Sequence, residues 1–469
     1  MPPQTAPSPS LNGSFSGRIH FVGIGGIGMS GIAELLKNLG CRISGSDLQE
    51  SAITRRLSGL GIRVFRGHKT SHARGAELLV ASSAVARDNP ELRWARARGI
   101  PVLQRAQMLS QLAKLKKTLT VAGTHGKTTT TSLAAMALTS AGARPTMIIG
   151  GQLKNIHGNA RLGLGDYLVA EADESDGSFI HLEPLAAVVT NIDDDHLDFH
   201  KTMANLKDAF KAHLERLPPD GAAILCADDP ALLAMSRKLG RTVVTYGFAP
   251  EASWRPRNLR LSSAGSVFDA CRDGRVEARV TLRVPGRHNV QNALGALAAG
   301  SFLGFPSEKL ARGLSRFRGV GRRLDRLGRA GGVEFIDDYG HHPTEIAATI
   351  EAVSSLWKPA RLIVLFQPHR YTRTKMLAAR FGPAFKRADF VYVADIYPGG
   401  EKPLAGVDSR LILSSLKRAG VPAAAFARSL DVALQLRPGD LVLTLGAGDI
   451  WKTGLDLLRR LRERRLSPV

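Results

Sequence analysis

Val121-Ala122-Gly123-Thr124-His125-Gly126-Lys127-Thr128-Thr129 follows the apolar run Leu119-Thr120-Val121-Ala122 and leads into the helix-like Ser132-Leu133-Ala134-Ala135-Met136. A strand, a loop of small residues and a helix form a phosphate grip. Glycines let backbone N–H groups approach an anion, and the helix N-terminus adds partial positive charge. Lys127 reaches the outer phosphates, and the Thr128 hydroxyl is placed to hold Mg²⁺. The pattern G-x-x-x-x-G-K-T wants glycine five residues before Gly126, where Val121 stands. The shortened Gly-Thr-x-Gly-Lys-Thr form narrows the choice among ATP users. The bland alternative is a tight turn that happens to carry a lysine.

Working outward, 469 residues exceed one ordinary core and, at about 100–200 residues per domain, suggest three. Hydrophobic content of 44% and charged content of 22% belong to a soluble globular chain. The net charge of +23 raises the possibility of nucleic acid, but the arginines are scattered and aromatic content is only 6%, which leaves few stacking platforms. Arg459, Arg460, Arg462, Arg464 and Arg465 form a dense basic run at the C-terminus. Cys41, Cys226 and Cys271 are widely separated and lack metal-like spacing, which fits a reducing cytoplasm. Residues 1–16, rich in Pro and Ser, read as a disordered tail without the features of a signal peptide. No stretch reaches the ~18 apolar residues of a membrane span, so membrane insertion is not expected.

Residues 17–116 open with Ile19-His20-Phe21-Val22, then Gly23-Ile24-Gly25-Gly26-Ile27-Gly28 and a helix through Leu39. This is G-x-G-x-x-G between strand and helix, with Asp47 ending the next strand. A further strand runs into Ser82-Ser83. The domain is Rossmann-like, and its fingerprint alone admits a dinucleotide, a nucleotide-sugar diphosphate or SAM. Asp47 reads as a ribose or amide contact, or as a simple turn former.

Residues 117–320 form a central α/β domain around the Lys127 loop. The strands Tyr167–Glu171 and Ala186–Thr190 are apolar on both faces and end in the polar runs Glu171-Ala172-Asp173-Glu174-Ser175-Asp176 and Asn191-Ile192-Asp193-Asp194-Asp195-His196. Ligands collect beyond the carboxyl ends of parallel strands, so both runs should converge on the Lys127 loop. Carboxylates there suit a phosphate site with Mg²⁺. Short hairpins are predicted over 256–284, and Pro285–Ala293 opens another helix. Residues 321–469 alternate strands with helices and place Asp338-Tyr339-Gly340-His341-His342-Pro343, Gln367-Pro368-His369-Arg370 and Gly446-Ala447-Gly448-Asp449 at strand ends. His341 and His342 point opposite ways on an extended segment. One is expected to be structural and the other functional.

Taken together, His20–Gly31, Gly123–Thr129, Asp337–Pro343 and Gln367–Arg373 resemble the Mur ligase family, from about Arg18 to Asp449. The resemblance implies three α/β domains: a Rossmann-like domain that binds UDP-sugar, a central P-loop ATPase-like domain, and a C-terminal Rossmann-like domain that closes over both and helps bind the amino acid. The implied reaction is ATP-dependent ligation of L-alanine to the lactyl carboxylate of UDP-N-acetylmuramate through an acyl phosphate. Attachment of a preformed tripeptide is the alternative.

The resemblance further implies Gly123, Thr124, His125, Gly126, Lys127, Thr128, Thr129, Asn289 and Asn292 at ATP, and Thr128, Glu171 and His196 at Mg²⁺. It implies Gly23, Gly25, Gly26, Gly28, Met29, Ser30, Asp47, Ser82, Ser83 and His125 at the UDP-sugar. His369, Arg370 and Arg373 are candidates for the amino-acid carboxylate, and Arg323 and Asp338 join the catalytic set after domain closure. The base for the alanine ammonium is not legible; water or released phosphate could serve. Two rivals remain. A nicotinamide-dependent dehydrogenase leaves the Lys127 loop unexplained, and scattered arginines argue against a nucleic-acid-stimulated ATPase.

Overall fold

The computed structural model describes residues 17–82, 84–175 and 177–464. The predicted tail 1–16, Ser83, Asp176 and Arg465 lie outside the described residues. Two compact units divide the chain. One gathers the described residues up to Asn258 with Phe268–Thr281 and Gln291–Arg318; the other gathers Leu259–Val267, Leu282–Val290 and the described residues from Gly319 onward.

The first unit begins with β1 (Arg18–Val22), β2 (Arg42–Asp47), β3 (Arg63–Arg66), β4 (Leu78–Ala81) and β5 (Val102–Gln104), ordered β3-β2-β1-β4-β5 and parallel throughout. Strand order reverses at β1, which opens a crevice at its carboxyl end. The glycine loop lies there and leads into helix α1 (Ile27–Asn38). Helices α2 (Ala52–Gly59), α3 (Pro90–Ala97) and α4 (Arg105–Ala113) complete this part. Val22, Leu79, Ala81, Leu92 and Ala95 pack together as part of its core.

The second sheet of this unit is built from β6 (Lys117–Ala122), β7 (Thr146–Leu153), β8 (Gly158–Arg161), β9 (Tyr167–Glu171), β10 (Ala186–Val189), β11 (Ala222–Cys226) and β12 (Thr242–Tyr246). Their order is β12-β11-β10-β6-β9-β7-β8, parallel except for β8. β6 thus lies between β9 and β10, whose polar ends flank its own. Helix α5 (Lys127–Ser140) leaves the loop after β6 and begins at Lys127, five residues before the helix-like run legible in the sequence. The hairpins expected over 256–284 are present and longer than read: β13 (Trp254–Ser262), β14 (Gly265–Arg272) and β15 (Arg275–Leu282) are successive neighbouring strands of eight or nine residues.

The second unit carries β16 (Asp325–Ala330), β17 (Val333–Asp338), β18 (Arg361–Phe366), β19 (Phe390–Val393), β20 (Ala423–Ala425) and β21 (Asp440–Leu445), ordered β16-β17-β21-β18-β19-β20 with only β16 antiparallel. The two-residue period of a strand sorts its side chains between two cores. Leu362, Val364, Phe366, Leu441, Leu443 and Leu445 join the core on one face, whereas Ile363, Leu365 and Val442 join the core on the other. Among the described residues, no helix is long and apolar enough to cross a membrane.

One buried histidine makes the first unit sensitive to acid. His213 is fully buried; its Nδ1 lies 3.1 Å from the Phe179 carbonyl, which can only accept, so Nδ1 carries the proton and Nε2 accepts from Thr120 Oγ1 at 3.1 Å. Burial pushes its pKa down to about 4, against the opposing Phe179 bond. The unfolded chain therefore takes up a proton near pH 6.5 that the native state refuses. His213 favours folding fully above that pH, and its contribution falls until about pH 4. The effect is about 3 kcal/mol in total, with about 2 kcal/mol gone by pH 5. His213→Gln should flatten that part of the slope in urea unfolding between pH 7 and pH 5; an unchanged slope would show that His213 does not carry it.

Candidate active site

The crevice beyond β1 is shaped by its glycines. Gly23 has φ +81°, and its N–H and that of Ile24 donate to the Ser46 carbonyl at 2.8 and 3.0 Å. The Gly25 N–H donates to Asp47 Oδ2 at 2.8 Å, so Asp47 makes the amide contact, with the loop itself. A Cβ at Gly23 would stand 3.0 Å from Ser82 Cβ, and one at Gly28 would stand 3.0 Å from Arg105 Cδ. Gly26 caps α1 without a side-chain bond, and no acidic residue occupies the first turn. An anion is therefore the natural partner for this helix N-terminus. Met29 and Ser30 are buried within α1, and the Ser30 hydroxyl turns back to the Ile27 carbonyl at 2.9 Å.

The loop after β6 is fastened to the end of β10. Gly123 (φ +119°) packs against Thr190, and Gly126 (φ +82°) caps α5 against the Asn292 side chain. The His125 N–H donates to Asn191 Oδ1 at 2.8 Å, and Asn191 Nδ2 donates back to the His125 carbonyl at 3.0 Å. The Asp193 N–H donates to Thr124 Oγ1 at 2.9 Å, while His125 Nε2 lies 2.9 Å from Asp193 Oδ2. Thr129 is buried in the first turn of α5. The loop is thereby held against the end of β10 and the Asn292 side chain.

Lys127 Nζ is surrounded by acceptors. It donates to the Gly123 carbonyl at 2.7 Å, the Thr124 carbonyl at 3.2 Å and both oxygens of Glu174 at 2.8 and 2.9 Å. Burial alone would lower the ammonium pKa, but the Glu174, Asp173 and Glu171 carboxylates outweigh it and raise it, so Lys127 remains charged. Burial pushes Glu171 up despite Lys127 and a bond from the Thr128 side chain. Asp173 is held below its ordinary value because Lys127 and Arg105 prevail over burial. His196, with φ +58°, places Nε2 4.0 Å from Glu174 Oε1 and 3.7 Å from Asp195 Oδ2. The Thr128 hydroxyl and Glu171, with His196 beside Glu174, form an oxygen-rich donor set that fits a hard divalent cation.

Glu174, Asn191 and Arg105 are site residues that the sequence did not single out. Arg105, at the start of α4, lies against Gly28 on one side and reaches Asp173 Oδ2 at 3.4 Å on the other. It thus stands between the two phosphate grips. Its surroundings in sequence, Gln104-Arg105-Ala106-Gln107, carry no phosphate signature. Glu174 lay within an acidic run, but alternation of residue type could not show which carboxylate turns toward Lys127.

In the second unit, Asp338 is buried and accepts bonds from the Leu324 N–H at 2.7 Å, the Gly340 N–H at 2.8 Å and Thr349 Oγ1 at 3.3 Å. Burial pushes its pKa up to about 6, against Arg323 and those amides. Arg323 lies over the Tyr339 ring and 3.5 Å from Glu345. Arg322, on the same ring, binds Asp337 at 3.0 Å and the Gly448 carbonyl at 2.8 Å, so it braces the Gly446–Asp449 turn. His342 is the structural member of its pair: it is buried and caps helix Pro343–Trp357. His341 faces Tyr339 and His369 edge-on. His369 stacks on Tyr397 and sits 3.2 Å from Arg373 Nη1, while Arg370 pairs with Glu401 at 3.2 Å. Asn289 belongs to this unit and donates to the Pro285 carbonyl at 2.6 Å.

Family models match three successive segments: the Mur ligase family catalytic domain over residues 18–117, the Mur ligase middle domain over 121–300 and the Mur ligase glutamate ligase domain over 322–448. The chain belongs to the Mur ligase family. Among its relatives, this Mur ligase is 48% identical to a UDP-N-acetylmuramate–L-alanine ligase of Endomicrobium trichonymphae, over 94% of this chain and 98% of the other. It is 46% identical to the protein of that name from Pelotomaculum thermopropionicum, over 95% and 98%. A crystal structure of UDP-N-acetylmuramate–alanine ligase from Thermotoga maritima superposes with a TM-score of 0.81 at 29% identity, covering 96% of this chain and all of that one. A murein peptide ligase from Psychrobacter arcticus shares the fold of this Mur ligase at 23% identity and a TM-score of 0.71, over 95% and 98%.

Proposed function

We propose that this Mur ligase joins L-alanine to the lactyl carboxylate of UDP-N-acetylmuramate, converting ATP to ADP and phosphate, as a cytoplasmic step of peptidoglycan synthesis. The observation that carries the reading is identity of 46–48% over at least 94% of the chain to ligases so named. The two helix-terminal phosphate grips in one compact unit support it: a nucleotide sugar and ATP each need one. We assign the UDP-sugar to residues 17–116, around Gly23, Gly25, Gly26, Gly28, Asp47 and Ser82, and ATP to 117–320, around the Lys127 loop and Asn292. The amino acid belongs to 321–469, where Arg370 and Arg373 supply cationic donors for its carboxylate and His369, whose Nδ1 accepts from Arg373, can offer its other ring N–H.

A carboxylate is a poor acyl donor because attack on it must expel an oxide. An oxygen of the lactyl carboxylate bonds to the γ-phosphorus of ATP, and the bond from that phosphorus to the ADP oxygen breaks. The alanine nitrogen then bonds to the acyl carbon, and the bond from that carbon to the phosphate oxygen breaks, releasing phosphate. A proton leaves the amine for water or the released phosphate. Three anions must be gathered, so positive charge matters more than a nucleophilic side chain. Lys127 and the N–H groups at the start of α5 hold the β- and γ-phosphates in line with the carboxylate. Thr128, Glu171 and His196 would hold Mg²⁺, which when bound neutralises phosphate charge. Arg323 and Asp338 complete the set, Asp338 by holding the turn on which Arg323 is presented.

Supplying ATP, Mg²⁺ and UDP-N-acetylmuramate should give ADP release that rises sharply with L-alanine and little with a preformed tripeptide. A heavy-oxygen label in the lactyl carboxylate should appear in the released phosphate. Preference for the tripeptide would make the protein a muropeptide ligase, and no transfer of label would exclude the acyl phosphate.

A further inference from the structure

Away from Lys127, a carboxylate without solvent exposure lies beneath the glycine loop. Glu91 follows the cap Asn89 and Pro90 at the start of α3 and is 0% exposed. Its Oε2 accepts from Ser46 Oγ at 2.6 Å and its Oε1 from the Lys69 N–H at 3.1 Å. Three imidazoles face it: His72 Nδ1 at 3.3 Å, His20 Nε2 at 3.5 Å and His68 Nδ1 at 3.5 Å. Burial works against its charge, but His20, Ser46 and the Lys69 amide prevail and hold its pKa below the ordinary value. An ionised carboxylate only accepts, so the single Ser46 hydroxyl proton points to Glu91. His68 Nδ1, 3.0 Å from Ser46 Oγ, must then donate to that oxygen. Glu91 thereby ties together β1, β2, the segment after β3 and α3.

The same Ser46 holds the Gly23 and Ile24 N–H groups through its carbonyl. One residue thus joins the buried carboxylate to the first two amides of the loop. Apolar packing often stabilises a core as well as a buried ionic network does, so stability alone gives weak reason for a charge here. We infer that Glu91 is a positioning residue for nucleotide-sugar binding, acting through Ser46 to fix the entry of the Gly23–Gly28 loop. The inference rests on the reading of that loop as the UDP-sugar grip.

The test uses the full chain and two readouts. In Glu91→Gln and in the milder Ser46→Ala, amide hydrogen exchange at Gly23 and Ile24 should quicken about tenfold, while the Lys127 loop keeps its protection. The KM for UDP-N-acetylmuramate should rise about tenfold in Glu91→Gln, with kcat and the KM for ATP and L-alanine unchanged. The double variant should be no worse than Glu91→Gln alone, because both changes cut one connection. Unchanged exchange at Gly23 and Ile24 in a folded Ser46→Ala protein would overturn the inference, as would equal loss in every kinetic constant. Wild-type protein that fails to bind UDP-N-acetylmuramate would instead remove the reading of the loop, since the exchange measurement needs no ligand.

Discussion

Lys127→Ala is expected to lower kcat by roughly 10³-fold while leaving the affinity for UDP-N-acetylmuramate within about twofold of wild type. Lys127 is the cation at the mouth of the loop after β6, whereas the other anion site is at the start of α1, on a different sheet. Calorimetric titration with the nucleotide sugar, beside ADP release, separates the two effects. Truncation also strands Glu174, whose side chain is 1% exposed and whose charge is matched by Lys127. Breaking such a pair typically costs about 3–5 kcal/mol. Pairing Lys127→Ala with Glu174→Gln should therefore restore stability without restoring turnover. Joint loss of nucleotide-sugar binding and turnover in that stable double variant would mean that the two grips are not independent.

The fold was legible wherever residue pattern and backbone need coincide. Gly23, Gly123 and Gly126 adopt positive φ at strand ends, and each announced a loop of fixed type. Strands with apolar side chains on both faces, such as Tyr167–Glu171 and Ala186–Val189, were equally plain. Strands escaped where their residues do not advertise them. β7 contains Gly150 and Gly151, and β11 begins with two alanines, so their place in the sheet comes from neighbouring strands. The site was legible as groups of residues at strand ends, but not as directions of side chains. Three carboxylates within four residues look alike in sequence; only the turn after β9 aims Glu174 at the ammonium. Arg105 and Glu91 were hidden for a similar reason, since each acts on a segment far away in the chain: Arg105 on Asp173, and Glu91 on Ser46.

Glu174 makes a second strong prediction, because ATP must take Lys127 away from it. Once the ammonium moves to the phosphates, the buried carboxylate faces an arriving polyanion, with His196 Nε2 4.0 Å away. Two unit charges about 4 Å apart at an effective dielectric of 20 repel by about 4 kcal/mol, equivalent to an affinity change on the order of 10²–10³-fold. A divalent cation, if held by Thr128 and Glu171, would cancel much of that repulsion, so the wild-type protein should bind ATP well only with metal. Glu174→Gln keeps an oxygen that accepts from Lys127 but removes the charge. It should bind metal-free ATP at least tenfold more tightly than wild type, with Mg-ATP affinity little altered. Glu174 also raises the Lys127 pKa in the ATP-free protein, so the variant should lose kcat/KM for ATP at a lower pH on the alkaline side. Titrations with and without EDTA, beside a profile of kcat/KM for ATP from pH 7 to 10, read both effects. If metal dependence and the alkaline limb both stay where they are in wild type, Glu174 shapes the loop without controlling entry of the nucleotide.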